Sequence, residues 1–456
     1  MANHWFARAL LPAGWASAVR LVLAEGLIAR VETGVEPTVT DERHGVAIPG
    51  LPNVHSHAFQ RAMAGLAEHG PGNVAPRDDF WTWRETMYRF VDRLEPADVE
   101  SVAAFAYAEM LETGFTRVGE FHYLHHDREG RPYADPAELA TRIFAGAAAA
   151  GIGLTLLPSF YAHGNFGGLS LSPGQRRFVN DLDGFARIMD QSRRAAARQP
   201  GTIVGVAPHS LRAVTPDELR EVVALAGPGP VHIHVAEQVR EVADCLAWSG
   251  RRPVEWLLDH QSVDSRWCLI HATHTLPSEK QGIASRGAIV GLCPITEANL
   301  GDGIFDAKTF RQAGGQFGIG TDSNVLIDAA GELRQLEYSQ RLSALARNVL
   351  ASDVNSSTGR ALFEHSLRAG SQALGVPGSG LAVGHPADFV TLATDHPATA
   401  SRVDDRLLDG WIFAARCGAI DGVWVRGRMM VKAGRHVARE TLERRFRLVL
   451  ERCQAS

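Results

Sequence analysis

The segment LPNVHSH (residues 51–57) ends a short apolar run with two histidines, His55 and His57, on either side of one serine. Successive side chains of a β-strand point to opposite faces, so residues i and i+2 share a face. Both imidazoles can therefore point in one direction and bind a single cation. The segment predicts half of a metal site at the end of a buried strand.

Seven further segments have the same strand character, and each ends in polar or charged residues. Most are separated by helical patterns such as TPDELREVVALAG (215–227), where Thr215 is predicted to cap the helix and Pro216 takes its first position. Eight such units predict an α/β fold, a closed parallel (β/α)₈ TIM barrel. An open doubly wound sheet is the alternative, but no G-x-G-x-x-G after an early strand supports its nucleotide-binding form. The seven segments are FTRVGEF (115–121), GLTLLPSF (153–160), TIVGVAPHS (202–210), PVHIHVAE (230–237), WCLIHATH (267–274), AIVGLCP (288–294) and QFGIGTD (316–322).

Both ends of the chain contain short alternating strands separated by glycines, as in RLVLAEGLIARV (20–31) and DGVWVRGRMMVKAGRH (421–436). Either end alone would expose a hydrophobic face, which favours one small β-sandwich domain built from both termini over two unrelated additions. The predicted organisation is residues 1–48 as the N-terminal part of this domain, residues 49–378 as the barrel, and residues 379–456 as the C-terminal part with a terminal helix.

Composition limits the possible partners and the compartment. The 456 residues carry a formal charge of −5, which gives no indication of nucleic-acid or membrane-surface binding. No stretch approaches the roughly 20 apolar residues of a membrane span, and the N-terminus lacks the pattern of a signal peptide. Five scattered cysteines without a C-x-x-C motif indicate a reducing compartment, so a cytoplasmic protein is predicted. They are Cys245, Cys268, Cys293, Cys417 and Cys453.

Potential metal ligands recur where the later strands end. A lone buried histidine is more often a hydrogen-bonded core residue, but six histidines and two carboxylates at one rim of a barrel are difficult to attribute to packing. Imidazole and carboxylate ligands suit Zn²⁺, although Fe²⁺ and Mn²⁺ accept the same ligand types. Besides the first pair, the residues are His232, His234 and Glu237 on strand five, His271 and His274 on strand six, and Asp322 on strand eight.

Strand five offers two candidate ligands on one face. His234 is nearer the rim and is predicted to bind the metal, whereas His232 is expected to lie deeper. Glu237 lies three residues after His234, so in an unbroken strand its side chain would point to the opposite face. The strand must therefore turn near Ala236 for this carboxylate to approach the metal.

Five motifs, taken in their order and spacing, resemble the metal-dependent amidohydrolase superfamily in its mononuclear deaminase branch. The resemblance implies metal ligands His55, His57, His234 and Asp322, with Glu237 and His271 as a catalytic pair. Binuclear members bridge two metals with a carboxylated lysine at the end of strand four, but VGVAPHSLRAV (204–214) contains none. One divalent metal is therefore expected. The motifs are IPGLPNVHSH (48–57), HVAE (234–237), HATH (271–274), GIGTD (318–322) and LAVGHPADFV (381–390).

This set of residues leads to a hypothesis for the chemistry. The metal lowers the pKa of its water, and Asp322 orients that water and takes its proton. The hydroxide attacks an sp² carbon that bears nitrogen, and Glu237 protonates this nitrogen so that ammonia leaves. His271 donates a hydrogen bond to the developing oxygen.

Two arginines suggest the nature of the substrate. Arg84 follows two tryptophans, Trp81 and Trp83, and Arg212 lies after strand four. Guanidinium groups bind carboxylates bidentately, so the pair predicts a small dicarboxylate substrate. Alternatively, both arginines form structural ion pairs. The two tryptophans can equally be buried in the core of the loop or line the wall of the pocket.

More narrowly, the chain resembles the N-formimino-L-glutamate deiminases of histidine degradation. The resemblance implies hydrolysis of the formimino group to N-formylglutamate and ammonia, with Gln60, Arg84, Tyr123, His209 and Arg212 as substrate contacts. It also implies a homodimer, for which the sequence itself shows no interface. The motifs are PNVHSHAFQRAMAGL (52–66), FWTWRE (80–85), EFHYLHHD (120–127), HSLRAVTP (209–216), CLAWSGRRP (245–253), WCLIHATH (267–274) and TEANLGDGIF (296–305).

Three other functions remain open at this point. A purine or pterin deaminase would share the metal site without needing paired arginines. An amidase would release an amine instead of ammonia. A catalytically inactive barrel used for binding is the third possibility, although no expected ligand is missing.

Overall fold

The computed structural model describes residues 2–70, 78–352, 356–416 and 418–455. Its strands fall into three hydrogen-bonded sheets. They are β1 (Ala2–Leu11), β2 (Gly14–Ala24), β3 (Leu27–Glu32), β4 (Asp41–Pro49), β5 (Leu51–Ser56), β6 (Phe115–His122), β7 (Gly153–Phe160), β8 (Ile203–Val204), β9 (Ala207–Pro208), β10 (Val231–Val235), β11 (Trp267–His271), β12 (Ile289–Leu292), β13 (Gln316–Ile319), β14 (Phe389–Leu392), β15 (Ile420–Val425), β16 (Arg428–Lys432) and β17 (Arg435–His436).

Helices separate the strands of the central part of the chain. Short 3₁₀ helices span Ala58–Met63 and Pro173–Gln175. The α-helices are α1 (Phe80–Val91), α2 (Pro96–Glu112), α3 (Glu138–Ala150), α4 (Leu182–Ala196), α5 (Pro216–Leu225), α6 (Val239–Ser249), α7 (Pro253–His260), α8 (Pro277–Ser285), α9 (Pro294–Leu300), α10 (Ala307–Gln312), α11 (Ala329–Ala344), α12 (Thr358–Ala373), α13 (Asp405–Ala414) and α14 (Arg439–Ala455). As predicted, α5 begins with Thr215, whose hydroxyl accepts the backbone N–H of Glu218.

The parallel strands form a ring. One sheet runs in the order β5–β6–β7–β8, with β9 also on β7, and the other runs in the order β10–β11–β12–β13. Parallel bridges join the two sheets on both sides, at Val206 with Val231 and at Ser56 with Asp322. These bridges close the ring and confirm the predicted (β/α)₈ barrel, whose active-site rim is at the carboxyl ends of the strands.

The fourth strand differs from its prediction. The sequence pattern predicts one strand over residues 202–210, whereas the structure has the two short pieces β8 and β9. Between them the N–H of Gly205 donates to Leu156 and the N–H of Val206 donates to Pro230, so the chain bonds to neighbours on both sides. A Cβ at residue 205 would lie 2.4 Å from the carbonyl oxygen of Pro230, and glycine therefore permits this close approach.

Both ends of the chain meet in one eight-stranded sheet of order β17–β16–β15–β14–β4–β1–β2–β3. In this sheet β4 pairs with β1 in parallel and with β14 in antiparallel orientation. Phe6 and Leu21 from the N-terminal part share a buried apolar cluster with Phe389 and Trp424 from the C-terminal part. The small β-sandwich domain built from both termini is thus present, while its predicted boundaries at residues 48 and 378 stay a prediction.

The predicted terminal helix, α14, packs on helix α2 of the barrel. The rings of Phe105 and Phe446 stack with centroids 4.3 Å apart. Arg439 forms an ion pair of 2.6 Å with Glu112 at the end of α2. These contacts therefore hold the C-terminal helix against the barrel.

Two sequence expectations concern the chain as a whole. Four of the cysteines, Cys245, Cys268, Cys293 and Cys453, are buried free thiols, whereas Cys417 lies outside the described residues. Within the described ranges every helix is too short or too polar to cross a bilayer.

Candidate metal centre and active site

Three barrel strands and the loop after the eighth bring a buried cluster together at the rim. The potential ligand atoms of His55, His234, His271 and Asp322 all lie within 4.8 Å of one another. The Nε2 atoms of His55 and His234 are 3.1 Å apart, and His55 Nε2 lies 3.3 Å from an Asp322 oxygen. His57 Nε2 lies 3.3 Å from the same oxygen. The structure thus brings together all four predicted ligands, with His271 beside them.

Hydrogen bonds orient two of these imidazoles. His57 donates from Nδ1 to the carbonyl oxygen of Phe121 at 2.8 Å, and His234 donates from Nδ1 to that of His209 at 2.9 Å. A carbonyl only accepts, so in each neutral ring the Nε2 lone pair is left facing the cluster. Burial lowers the pKa of both imidazoles, which favours this neutral form. The donors therefore fit one divalent cation of the Zn²⁺ type.

His232 is not a member of the ligand cluster. Its Nε2 donates to the carbonyl oxygen of Ala373 at 2.7 Å. It is thus a hydrogen-bonded core histidine, which agrees with the prediction that His234 is nearer the rim.

Left-handed backbone conformations occur where the strands end. Strand β10 ends at Val235, and Ala236 has φ of 52°. The chain therefore turns at Ala236, as predicted from the position of Glu237. His271 and Asp322 have φ of 66° and 44°. Such conformations are strained for residues other than glycine and cluster at functional sites. Here they turn the side chains of three strand ends towards one point.

Close contact between the first and the last barrel strand sets the position of Asp322. The N–H groups of Thr321 and Asp322 both donate to the carbonyl of His55 at 3.0 Å, and the N–H of His57 donates back to Asp322 at 2.9 Å. A Cβ at Gly320 would lie 2.8 Å from the backbone N and O of His55. Gly320, the second glycine of GIGTD, therefore allows the two strand ends to approach each other.

Two titratable side chains, Glu237 and His271, lie beside the predicted metal ligands. His271 Nε2 is 3.9 Å from Glu237 and 3.8 Å from Asp322. Burial raises the pKa of Glu237 to about 7, against the opposing charges of His271 and Arg212. Burial lowers the pKa of His271, but Glu237, the hydrogen bond to Glu297 and the charge of Asp322 outweigh it and raise the pKa to about 10. Near neutral pH His271 is therefore an imidazolium, whereas Glu237 can be protonated or ionised.

The site also contains two carboxyl groups, those of Glu297 and Asp302, for which the sequence predicted no role. Glu297 Oε1 accepts a hydrogen bond from His271 Nδ1 at 3.1 Å, and Asp302 accepts one from the side chain of Gln238, the residue after Glu237. Burial, together with the charge of Glu237, raises the pKa of Asp302 to about 9. Both residues lie in TEANLGDGIF, which was the only signal that could have marked them.

All five predicted substrate contacts line one cavity next to the cluster. The side-chain amide of Gln60 donates to the hydroxyl of Tyr123 at 2.7 Å. Of the tryptophans, Trp83 lines the cavity wall. The lining residues are His57, Gln60, Phe80, Trp83, Arg84, Met87, Tyr88, Tyr123, Tyr161, Gly164, Phe178, His209, Arg212, His234, Glu237, His271, Leu300 and Asp322.

The two arginines are largely unpaired. Among the described residues no ion pair to Arg84 is found, and its guanidinium stacks on the ring of Trp81 at 4.5 Å. The described part of the chain offers Arg212 one distant ion pair, 3.8 Å from Glu237. The Nε of each arginine is buried, and no hydrogen-bond partner for it is found in that part. This arrangement favours the ligand-binding role over structural ion pairs.

The histidines of EFHYLHHD do not line the cavity. His125 and His126 bond to the backbone carbonyls of Ser159 and Val179, at 2.8 and 2.6 Å. From this motif only Tyr123 lines it.

The barrel and its histidine–aspartate cluster define a metal-dependent hydrolase. Residues 46–430 match the model of the amidohydrolase family, and residues 5–45 match that of the N-terminal domain of formimidoylglutamate deiminase HutF. The chain is 51% identical over 445 residues to a formimidoylglutamate deiminase of Pseudomonas aeruginosa, covering 97% of both chains. It therefore belongs to the amidohydrolase family and, within it, to the formimidoylglutamate deiminases.

Solved structures agree with this fold. The crystal structure of an amidohydrolase from Brucella melitensis superposes with a TM-score of 0.96 at 55% identity and covers 100% of both chains. An adenosine deaminase from Xanthomonas campestris with bound zinc has a TM-score of 0.81 at 22% identity, covering 100% of this chain and 99% of its own, a likeness in fold alone.

Proposed function

We propose that this chain hydrolyses N-formimino-L-glutamate to N-formyl-L-glutamate and ammonia. The observation that carries the proposal is one cavity in which a histidine–aspartate cluster lies together with two largely unpaired arginines. The substrate has an amidine-like carbon for hydrolysis and two carboxylates for the arginines. The high identity to a formimidoylglutamate deiminase supports the same reaction.

In this proposal His55, His57, His234 and Asp322 hold one divalent cation, most simply Zn²⁺, with Fe²⁺ and Mn²⁺ as alternatives of similar ligand preference. A divalent cation bound there supplies Lewis acidity that lowers the pKa of water towards neutrality. The orienting bonds from His57 to Phe121 and from His234 to His209 support this ligand set. His271 lies close enough to hydrogen-bond an oxygen at the same point.

The chain's own carboxyl groups move the protons. Asp322 orients the attacking water and accepts its proton. Because its pKa is raised to about 7, Glu237 can be protonated or ionised near neutral pH and can pass a proton to the departing nitrogen. The imidazolium of His271 donates a hydrogen bond to the oxygen that develops negative charge. The bond from carbon to the terminal nitrogen then breaks and ammonia leaves, while the attacking oxygen gives its remaining proton to the ionised Glu237 and becomes the formyl carbonyl. Asp322 returns its proton to solvent.

Arg84 and Arg212 bind the glutamate carboxylates, with Gln60, Tyr123 and His209 as further contacts. The hydrogen bond from Gln60 to Tyr123 holds two of these side chains in one arrangement. Stacking on Trp81 limits the freedom of the Arg84 guanidinium before substrate arrives.

We further propose that the enzyme works in the cytoplasm, in histidine degradation, as a homodimer. The reduced thiols and the family resemblance support this setting. Light scattering of the purified protein tests the dimer directly.

A substrate comparison tests the reaction. Ammonia release should be rapid with N-formimino-L-glutamate and absent with adenosine and guanine. Product analysis should give N-formylglutamate, whereas formamide and glutamate would indicate an amidase that cleaves the other carbon–nitrogen bond. Turnover of purines without turnover of formiminoglutamate would contradict the proposal, and a purine deaminase would replace it.

A further inference from the structure

A second cluster of potential ligands lies in the small β-domain, away from the barrel rim. It consists of His4 on β1 together with Glu42 and His44 on β4, whose ligand atoms lie within 4.8 Å of one another. His4 Nδ1 is 3.2 Å from His44 Nε2. Glu42 Oε2 is 3.6 Å from His4 Nδ1, and Glu42 Oε1 is 3.6 Å from His44 Nε2. Two imidazoles and a carboxylate thus converge outside the catalytic site.

The strand register explains why the three side chains meet. Strands β1 and β4 pair in parallel, with His4 opposite Glu42. Glu42 and His44 are two residues apart on one strand and therefore share its face. The same spacing places His55 and His57 on one face at the barrel rim.

The distances match those expected around a metal ion. Ligands at 2.0–2.1 Å from a tetrahedral Zn²⁺ lie about 3.4 Å from each other. The two nitrogens are 3.2 Å apart, and each lies 3.6 Å from one of the two Glu42 oxygens, so the separations scatter about this value. In the catalytic cluster the corresponding separations are 3.1 Å between His55 and His234 and 3.3 Å between His55 and Asp322. The two clusters are therefore comparable in size.

Aromatic packing fixes the two imidazoles, and one side remains open. His4 lies edge-on to Phe389 at 5.2 Å, and His44 lies edge-on to Trp424 at 5.0 Å. The side chain of Glu42 is 47% exposed, so an ion can enter from solvent on its side. A simple hydrogen bond between the imidazoles would explain their contact, but not the placement of the carboxylate 3.6 Å from both nitrogens.

We propose that His4, Glu42 and His44 form a second divalent-cation site for Zn²⁺ or an ion of similar ligand preference, with water completing the coordination. The ion would tie β1 to β4 in the small domain. This inference is independent of the proposed deiminase reaction, since none of its three residues lines the catalytic cavity.

Metal stoichiometry tests the site. The full-length protein is dialysed against buffer containing micromolar free Zn²⁺, and bound zinc is measured by mass spectrometry. Wild type should hold two equivalents, whereas Glu42→Gln and His44→Gln should hold one. Glu36→Gln, which changes an exposed carboxylate on a neighbouring loop, should still hold two. All three variants should retain ammonia release, which shows that they are folded.

A thermal measurement gives a second readout. Zn²⁺ added beyond the first equivalent should raise the Tm of wild type and of Glu36→Gln, but not that of Glu42→Gln. One equivalent in wild type would leave a hydrogen-bonded imidazole pair and overturn the proposal. Two equivalents in Glu42→Gln would overturn it as well, because the exposed carboxylate is the ligand whose removal disturbs packing least.

Discussion

Nδ1 of His271 lies 3.1 Å from Oε1 of Glu297, and the same oxygen accepts the backbone N–H of Cys293 at 2.9 Å. The carboxylate is thus fixed by its own strand end while it holds the imidazole. The other nitrogen of His271 faces Glu237 and Asp322 at 3.9 and 3.8 Å. Glu297 thereby orients the His271 imidazole and, with Glu237 and Asp322, raises its pKa.

Glu297→Gln should lower kcat about ten- to hundredfold, the usual loss when an orienting partner of a site histidine is removed. Removal of the negative charge lowers the pKa of His271, so the alkaline limb of the pH profile of kcat should move to lower pH. Metal content should stay at the wild-type level. A variant with the wild-type kcat and pH profile would show that the contact has no role in positioning.

Glu237→Gln should lower kcat by about two to four orders of magnitude, because the amide cannot pass a proton to the leaving nitrogen. The metal should remain bound, since the four proposed ligands are untouched. His57→Gln is the matched contrast and should lose metal and activity together. Unchanged kcat in Glu237→Gln would remove this residue from the mechanism.

Arg84→Met should raise KM for N-formimino-L-glutamate with little change in kcat. A charged hydrogen bond contributes about 1.5–3 kcal/mol, or roughly ten- to hundredfold in KM. Arg212→Met should raise KM similarly and should also raise the pKa of Glu237, whose carboxylate it stabilises at 3.8 Å. Arg240→Met is a control, because this exposed arginine stacks on Trp81 at 4.6 Å without lining the cavity. Equal KM values for all three variants and wild type would reject the dicarboxylate pocket.

Gly320→Ala should destabilise the barrel and weaken metal binding, because its Cβ would lie 2.8 Å from the His55 backbone. The strand ends would have to separate, which moves Asp322 away from His55. Gly70→Ala is the matched control, since no atom of the described residues lies within 4 Å of its added Cβ. Unfolding curves and zinc affinity measure both effects, and equal values for the two variants would contradict the role of close approach.

Acid should destabilise the fold through buried neutral histidines. Burial, with the charges of Arg311 and Arg368, lowers the pKa of His365 from 6.5 to about 3. Between these values the unfolded chain binds the proton and the native protein does not. Stability is therefore full above pH 6.5 and falls as the pH drops below it, by at most about 1.4 kcal/mol per pH unit for this one group.

His365→Leu should make this acid decline shallower, measured as the free energy of unfolding in urea at a series of pH values. The exposed His69→Leu should leave the slope unchanged. Identical slopes in both variants would mean that His365 is not the group responsible.

The sequence predicted those features that depend on local periodicity. The alternation of side chains along a strand predicts that His55 and His57 share a face. It also predicts a turn before Glu237, which Ala236 makes with φ of 52°. The split of the fourth strand does not follow from local periodicity, because it depends on the close approach of Gly205 to Pro230, which precedes another strand. Other contacts between segments that are distant in the sequence likewise cannot be predicted from local periodicity.

Two features of the sites show the same limit. Glu297 follows strand seven and meets His271 of strand six only once the barrel has closed. The cluster of His4 with Glu42 and His44 depends on the register between β1 and β4, which no single segment encodes. Side chains that meet across strands need the three-dimensional pairing, whereas ligand types at strand ends can be recognised in one dimension.

The central claim is that one cation held by His55, His57, His234 and Asp322 is required for hydrolysis. The most direct measurement uses Glu42→Gln protein, in which the second cluster is disabled, stripped of metal with a chelator and titrated with Zn²⁺. Ammonia release from N-formimino-L-glutamate should rise from background in proportion to bound zinc and reach its plateau at one equivalent. Full activity in the metal-free protein would contradict the claim.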